Sequence, residues 1–117
     1  MNKSKRKGSL FENQVADYLT KALDTDIERR VLQGANDRGD ISGLKLNNKR
    51  VVVECKACKK FELSKWIKEA ETERINDKAA FGIVVVKRPG IGEARTGEQL
   101  VCMTLETFTN IIKSRSN

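Results

Sequence analysis

Val51-Val52-Val53-Glu54-Cys55-Lys56 alternates with the period of a β-strand. Val51, Val53 and Cys55 fall on one face, and Val52, Glu54 and Lys56 on the other. Glu54 and Lys56 therefore leave the strand side by side, about 6–7 Å apart at ~3.3 Å per residue. A carboxylate and an ammonium at the end of an apolar strand call for a reason. Upstream lies Gly39-Asp40-Ile41, joined to this strand by a short hairpin. If Asp40 sits on the neighbouring strand, two acids and one lysine converge. Two acids can hold Mg²⁺ through hard oxygen ligands. The lysine can then orient a water or steady the charge of a phosphate under attack.

The whole chain restricts the chemistry further. Its 117 residues suffice for one core and are too few for two. With 23 Lys and Arg against 16 Asp and Glu, the net charge is +7. That bias suggests a polyanionic partner, nucleic acid or an anionic membrane surface. No apolar run is long enough to span a bilayer. The basic start, Met1-Asn2-Lys3-Ser4-Lys5-Arg6-Lys7, has no apolar stretch after it and does not read as a secretory signal. We therefore expect an intracellular (cytoplasmic) protein whose partner is nucleic acid. There is no histidine, and there are three cysteines. Cys55-x-x-Cys58 is half a zinc pattern, but only Cys102 remains to complete it, so a four-ligand Cys/His zinc site is not expected. Cys55 reads as a core residue beside Val51 and Val53. Without histidine, the usual acid–base pairs are lost, and chemistry must run on carboxylates, lysine and a metal.

Residues 1–8 read as a basic flexible tail, either solubilising or lying on phosphates. Residues 9–117 form a single domain. Ser9 opens a helix to about Leu23, and Ser9-x-x-Glu12 fits a capping box. Glu12 also lies at the border of the apolar stripe of Phe11, Val15, Tyr18, Leu19 and Ala22, so it reads as a cap, as a site acid, or as both. Ile27–Leu32 forms a strand and Gly34–Gly39 a loop. Ile41–Leu46 forms a second strand, weakened at Gly43. Asn47-Asn48 is a hairpin turn, and Arg50–Ala57 the third strand. Ser64 caps a helix to about Asn76, with Trp66, Ile67, Ala70 and Ile75 inward. Lys65, Lys68, Glu69, Glu71 and Glu73 form its solvated surface. Phe81–Val86 is a buried strand. Lys87–Gly97 is a loop whose Lys87, Arg88 and Arg95 are available to phosphate. Gln99–Met103 is the last strand. Thr104 caps a closing helix with Leu105, Phe108, Ile111 and Ile112 inward.

Asp40, Glu54-x-Lys56 on the following strand and an acid in the first helix together resemble the PD-(D/E)XK nuclease superfamily. The resemblance covers roughly residues 9–87. Within it, Asn36-Asp37-Arg38-Gly39-Asp40-Ile41 and Glu54-Cys55-Lys56 are similar to the Holliday junction resolvases of archaea and phages. Gly39 stands where the motif has proline. The resemblance implies an α/β (α+β) restriction-endonuclease-like core: a mixed central sheet of about five strands flanked by helices, in α-β-β-β-α-β order.

It also implies roles. Asp40 and Glu54 ligate Mg²⁺, or Mn²⁺ in its place, with the backbone carbonyl of Cys55 as a further ligand. Glu12 joins a second metal directly or through water. Lys56 positions or deprotonates the attacking water, and a metal nearby should lower its pKa. Lys3, Lys5, Arg6, Lys7, Arg30, Arg38, Lys59, Lys60 and Lys65 are expected to contact DNA, with Asp37 flanking the site. Cleavage leaves 5′-phosphates. A four-way junction needs two cuts, which a homodimer would supply, with an interface around Phe108 and Ile111 or on the Phe81 strand. The alternatives are a RecB-like single-strand or flap nuclease, a restriction-type enzyme with the same site, and a non-catalytic DNA-binding module. The last has no use for paired acids that repel DNA.

Overall fold

The computed structural model describes residues 3–29 and 40–115, with side chains from residue 8 onward apart from that of residue 29. Helix α1 spans Lys3–Leu23, followed by β1 (Glu28–Arg29), β2 (Ile41–Ser42), β3 (Lys45–Leu46) and β4 (Lys49–Lys56). Helix α2 (Leu63–Asn76), β5 (Phe81–Val86), a 3-10 helix (Glu93–Glu98), β6 (Leu100–Cys102) and α3 (Leu105–Ser114) complete the chain.

The sheet runs β1-β2-β4-β5-β6, and β3 also pairs with β4. β4 and β5 are parallel, in register from Val51↔Phe81 to Lys56↔Val86. The β1–β2, β2–β4 and β5–β6 pairs are antiparallel. This mixed sheet flanked by helices is the restriction-endonuclease-like core expected from the sequence.

The alternation of β4 divides the core in two. Val51, Val53 and Cys55 pack with Phe11, Val15 and Ala16 of α1, Ile41 of β2, and Phe81 and Val85 of β5. Val84 and Val86 pack on the opposite face against Trp66 and Ala70 of α2. Val53 and Val84 have no exposed surface at all. Each such side chain contributes roughly 1.5–3 kcal/mol by leaving water. Gly82 admits α2 to the sheet, since a Cβ there would stand 3.0 Å from the carbonyl oxygen of Ala70. Arg50 ties the end of α2 to β4 by donating to the carbonyls of Asp77 (2.5 Å) and Lys78 (3.0 Å).

Several expectations are corrected. α1 starts at Lys3, not Ser9, so residues 3–8 are its first turns. Lysine, arginine and serine all permit helix, and the single Gly8 does not stop it. Ser9 therefore lies inside the helix, and the capping box does not form. The Ile41–Leu46 strand is split at Gly43, whose φ is +99°. α2 begins at Leu63 with Glu62 as a cap that makes no side-chain hydrogen bond, so Ser64 is not its cap. Ile75 faces solvent, while Glu73 is buried. The Lys87–Gly97 loop gives way to a 3-10 helix from Glu93. Thr104 does cap α3, accepting from the Thr107 amide at 3.0 Å. Of the four apolar residues expected to face inward from α3, only Ile111 packs on the core. Leu105, Phe108 and Ile112 are exposed, because α3 offers the core only a narrow stripe. Of the expected Ile27–Leu32 strand, Glu28–Arg29 is present and Ile27 is buried just before it; residues 30–32, and the 34–39 loop, lie outside the described residues.

At Gly43 an added Cβ would collide with the carbonyl oxygen of Asp26, whereas at Gly90, also at positive φ, it would meet nothing. Gly90→Ala should cost about 1 kcal/mol from backbone strain alone. Gly43→Ala should cost clearly more, because main chain must also move. Urea unfolding of the two variants checks the order.

Candidate active site

The site forms where the sheet opens. β2 meets β4 at Ile41↔Val53. Asp40, just before β2, donates its amide to the carbonyl of Val53 at 2.9 Å. Its carboxylate then turns along β4 and accepts the Cys55 amide through Oδ2 at 2.8 Å. The Asp40 side chain thus takes the place a strand partner would have filled. Glu54 projects from β4 on the α2 side of the sheet and is buried. Its Oε1 lies 3.4 Å from Lys56 Nζ. Its Oε2 is buried and receives no donor.

Lys56 is gripped from a second side. Its Nζ donates to Oε2 of Glu69 at 3.2 Å. Glu69 belongs to the inner stripe of α2, with Trp66, Ala70 and Glu73 at helical spacing. Sequence reasoning placed Glu69 and Glu73 on a solvated surface, and both are corrected here. Glu69 is only half-exposed and pairs with Lys56, and Glu73 is 1% exposed. Their spacing from Trp66 and Ala70 was the available signal.

The electrostatics follow from this crowding. Burial, foremost, and the facing charge of Glu54 push the Asp40 carboxyl up to about 8, against the pull of the Cys55 amide. Glu12, on α1, adds to the same repulsion. Burial of the Cys55 thiol, together with the charges of Asp40, Glu12, Glu54 and Glu73, pushes it up as well. Burial pulls the Lys56 pKa down, but Glu54 and Glu69 together outweigh burial, and the net shift is upward. Within the protein's own charges, Lys56 is an ammonium and not a free base.

Of the sequence-selected residues, the structure brings Asp40, Glu54 and Lys56 together and sets Glu12 within their electrostatic reach. Among the described residues, no three His, Cys, Asp or Glu side chains already stand as a metal-holding group. The donors nonetheless suit a hard cation. Glu54 Oε2 lacks a donor, and two carboxylates repel each other across a space that a divalent ion would neutralise. Lys59 lies just beyond the site, in the loop after β4. Lys60 and Lys65 are exposed and approach Glu62 at 3.6 Å and 3.9 Å. The side chains of Lys3, Lys5, Arg6, Lys7, Arg30, Asp37 and Arg38 lie outside the described residues. Cys55 is buried beside Val51 and Val53 as expected, and Cys58 is exposed.

A model of the family described as "Phage putative PDDEXK endonuclease" matches residues 3–115. The chain belongs to that family. It is therefore a member of the PD-(D/E)XK nuclease superfamily. Comparison with curated proteins and with solved structures returns no match. Among the described residues, no helix is long and apolar enough to cross a membrane.

The raised Asp40 pKa has a consequence for stability. A carboxyl that holds its proton more tightly folded than unfolded makes the folded state bind more protons. Stability then falls as pH rises from the ordinary value near 3.8 toward 8. In EDTA, urea unfolding between pH 5 and 8 should show a loss approaching ~1 kcal/mol per pH unit. Asp40→Asn should flatten the slope. Lys56, shifted upward from 10.5, loses its contribution only above that window.

Proposed function

We propose that the protein is a divalent-metal-dependent DNA endonuclease that cuts four-way junctions by phosphodiester hydrolysis, leaving 5′-phosphates. The observation that carries the hydrolytic part is the apposition of Asp40 and Glu54 at the mouth of the sheet, with the Lys56 ammonium 3.4 Å from Glu54.

Asp40, Glu54 and the Cys55 carbonyl would hold Mg²⁺ or Mn²⁺, with Glu12 reaching the same cluster directly or through water. A cation held there lowers the pKa of bound water and neutralises charge on the phosphoryl oxygens. Glu54 and Glu69 aim Lys56. Its ammonium donates to the attacking water or to a phosphate oxygen, steadying charge as the water oxygen bonds to phosphorus and the P–O3′ bond breaks. The proton released passes to solvent or to an acid of the cluster. The net charge of +7 favours a polyanionic substrate.

The junction reading is supported by the motif resemblance. It is also supported by an apolar surface available to a second copy. Leu105, Phe108 and Ile112 recur on one stripe of α3, exposed at 77%, 51% and 55%, beside Val101 on the edge strand β6. Phe81, the other interface candidate from sequence, is buried and is set aside. A two-fold pair would present two sites to a two-fold substrate.

The test is cleavage of an immobile four-way junction beside linear duplex, flap and single strand, with Mg²⁺ and with EDTA. Paired symmetric nicks on the junction are expected, lost by about 10²-fold or more in Glu54→Ala and Lys56→Ala while binding persists. Cutting of flap or single strand alone would replace the substrate. Tight binding without any cutting would overturn the catalytic reading. Phe108→Glu should shift the protein from dimer to monomer in sedimentation and unpair the two nicks. An unchanged mass would move the interface elsewhere.

A further inference from the structure

Immediately past Lys56, the chain forms a half-open cleft of about 410 Å³ that the hydrolytic site does not use. Ala57, Cys58, Lys59 and Phe61 line one side, and Val86, Lys87, Arg88, Pro89 and Leu100 the other. Its volume is within the ~300–1,000 Å³ of clefts that hold small organic groups. The two walls are continuations of the parallel strands β4 and β5. Lys56 and Val86 are register partners, and the Lys87 amide donates to the Lys56 carbonyl at 2.9 Å. The cleft therefore lies one or two residues along the strand direction from Lys56.

Its lining has a particular chemistry. The floor is apolar, from Ala57, Val86, Pro89 and Leu100. Phe61 stands at the edge, 60% exposed. Phe61 is braced by the buried Trp66, ring to ring at 5.2 Å and 66°. A large exposed aromatic in a loop normally loses contact with water or moves. This one is held against Trp66 and lines the cleft. Three cations and no carboxylate belong to the lining. Lys87 Nζ is anchored on the carbonyl of Ile91 at 2.9 Å, and Arg88 on that of Glu98 at 3.1 Å. Both bonds are to main-chain carbonyls and hold the side chains in place; the Glu98 carboxylate pairs with Arg95 and also feels the Arg88 charge.

An apolar slot, a braced aromatic ring and a cationic rim match one chemical class: a flat heteroaromatic group attached to a polyanionic chain. We propose that this cleft is a subsite for an unpaired nucleobase of the DNA strand, stacked on Phe61, with Lys59, Lys87 and Arg88 on the adjoining phosphates. The assignment rests on the nuclease reading of the neighbouring site and deepens it. The strand entering that site is unpaired for at least one nucleotide next to the scissile phosphate, as at a branch point or a frayed end. A duplex held fully paired would leave the cleft empty.

The test separates base capture from cleavage. In EDTA, where the DNA stays intact, binding is measured by anisotropy to an oligothymidylate, to a branched DNA with unpaired bases at the branch, and to a blunt duplex. A 2-aminopurine at an unpaired position reports stacking. Wild type should quench 2-aminopurine and prefer the unpaired substrates. Phe61→Ala should weaken their binding by about five- to a hundredfold and abolish the quench, while leaving blunt duplex unchanged. Phe61→Leu keeps the apolar contact with Trp66 but lacks a ring to stack on, and should show the same loss with an unchanged melting curve. Lys59→Ala should weaken all substrates and reduce the salt slope. Equal binding of unpaired and blunt DNA by wild type, Phe61→Ala and Phe61→Leu overturns this inference while leaving metal-dependent cleavage to stand on its own. Phe61-dependent capture in a protein that cuts nothing upholds the subsite and overturns the nuclease reading.

Discussion

Asp40 accepts a main-chain hydrogen bond that the sheet cannot supply. β2 is short, and among the described residues no strand stands beside that edge of β4 beyond Ile41↔Val53. A buried amide left without an acceptor there would cost roughly 1–3 kcal/mol. The carboxylate of Asp40 takes the Cys55 amide instead, which fixes the acid against β4. That single bond couples fold to site. It lets the sheet open without an orphaned donor, and it sets the Asp40 charge beside Glu54. A longer β2 would satisfy the same amide and remove the acid from the place where chemistry can occur.

The arrangement is strained electrostatically, and the strain is confined. Two acids are drawn together by main-chain geometry, with Glu12 adding a third negative charge from α1. The protein offsets this with one cation of its own, Lys56, shared between Glu54 and Glu69. One ammonium does not neutralise three or four carboxylates. The imbalance appears as the upward shift of Asp40 and as a Glu54 oxygen without a donor. A divalent cation would relieve both at once. Its binding should therefore stabilise the fold as well as enable the reaction, because it binds the folded arrangement and not the unfolded chain.

Much of this was legible in the sequence because β4 states it twice. Its period-two pattern places Val51, Val53 and Cys55 on one face and Glu54 with Lys56 on the other, and a strand has no other way to arrange them. The Asn47-Asn48 turn, with φ of +53° and +66°, and the Thr104 cap were equally local. What escaped the sequence depended on neighbours. Whether residues 3–8 continue α1 was open, since nothing in Lys-Ser-Lys-Arg-Lys-Gly dictates a start. Glu69 looks like a surface acid until Lys56 is known to stand opposite it, and Glu73 until α2 is known to turn that stripe inward. The α3 residues have the pattern of a buried face, but pattern cannot say whether the protein has a surface of its own to cover them. The rise in the Lys56 pKa required Glu69, which only tertiary packing brings near.

The parallel pairing of β4 with β5 gives the site a direction. Both strands end at the same side of the sheet, where loops rather than further strands continue the chain. Glu54 and Lys56 occupy the last turn of the pleat, and the cleft begins where the pleat stops. A DNA strand lying across this edge would meet the carboxylates first and the apolar slot next, without changing course. The order matters chemically. Phosphate requires charge and a cation, whereas a base requires a dry, flat surface, and neither site tolerates the other's occupant. Placing them in succession along one pair of strands converts the backbone–base alternation of a nucleic acid into a spatial requirement. That requirement is met only by a strand free of its complement over the residues concerned.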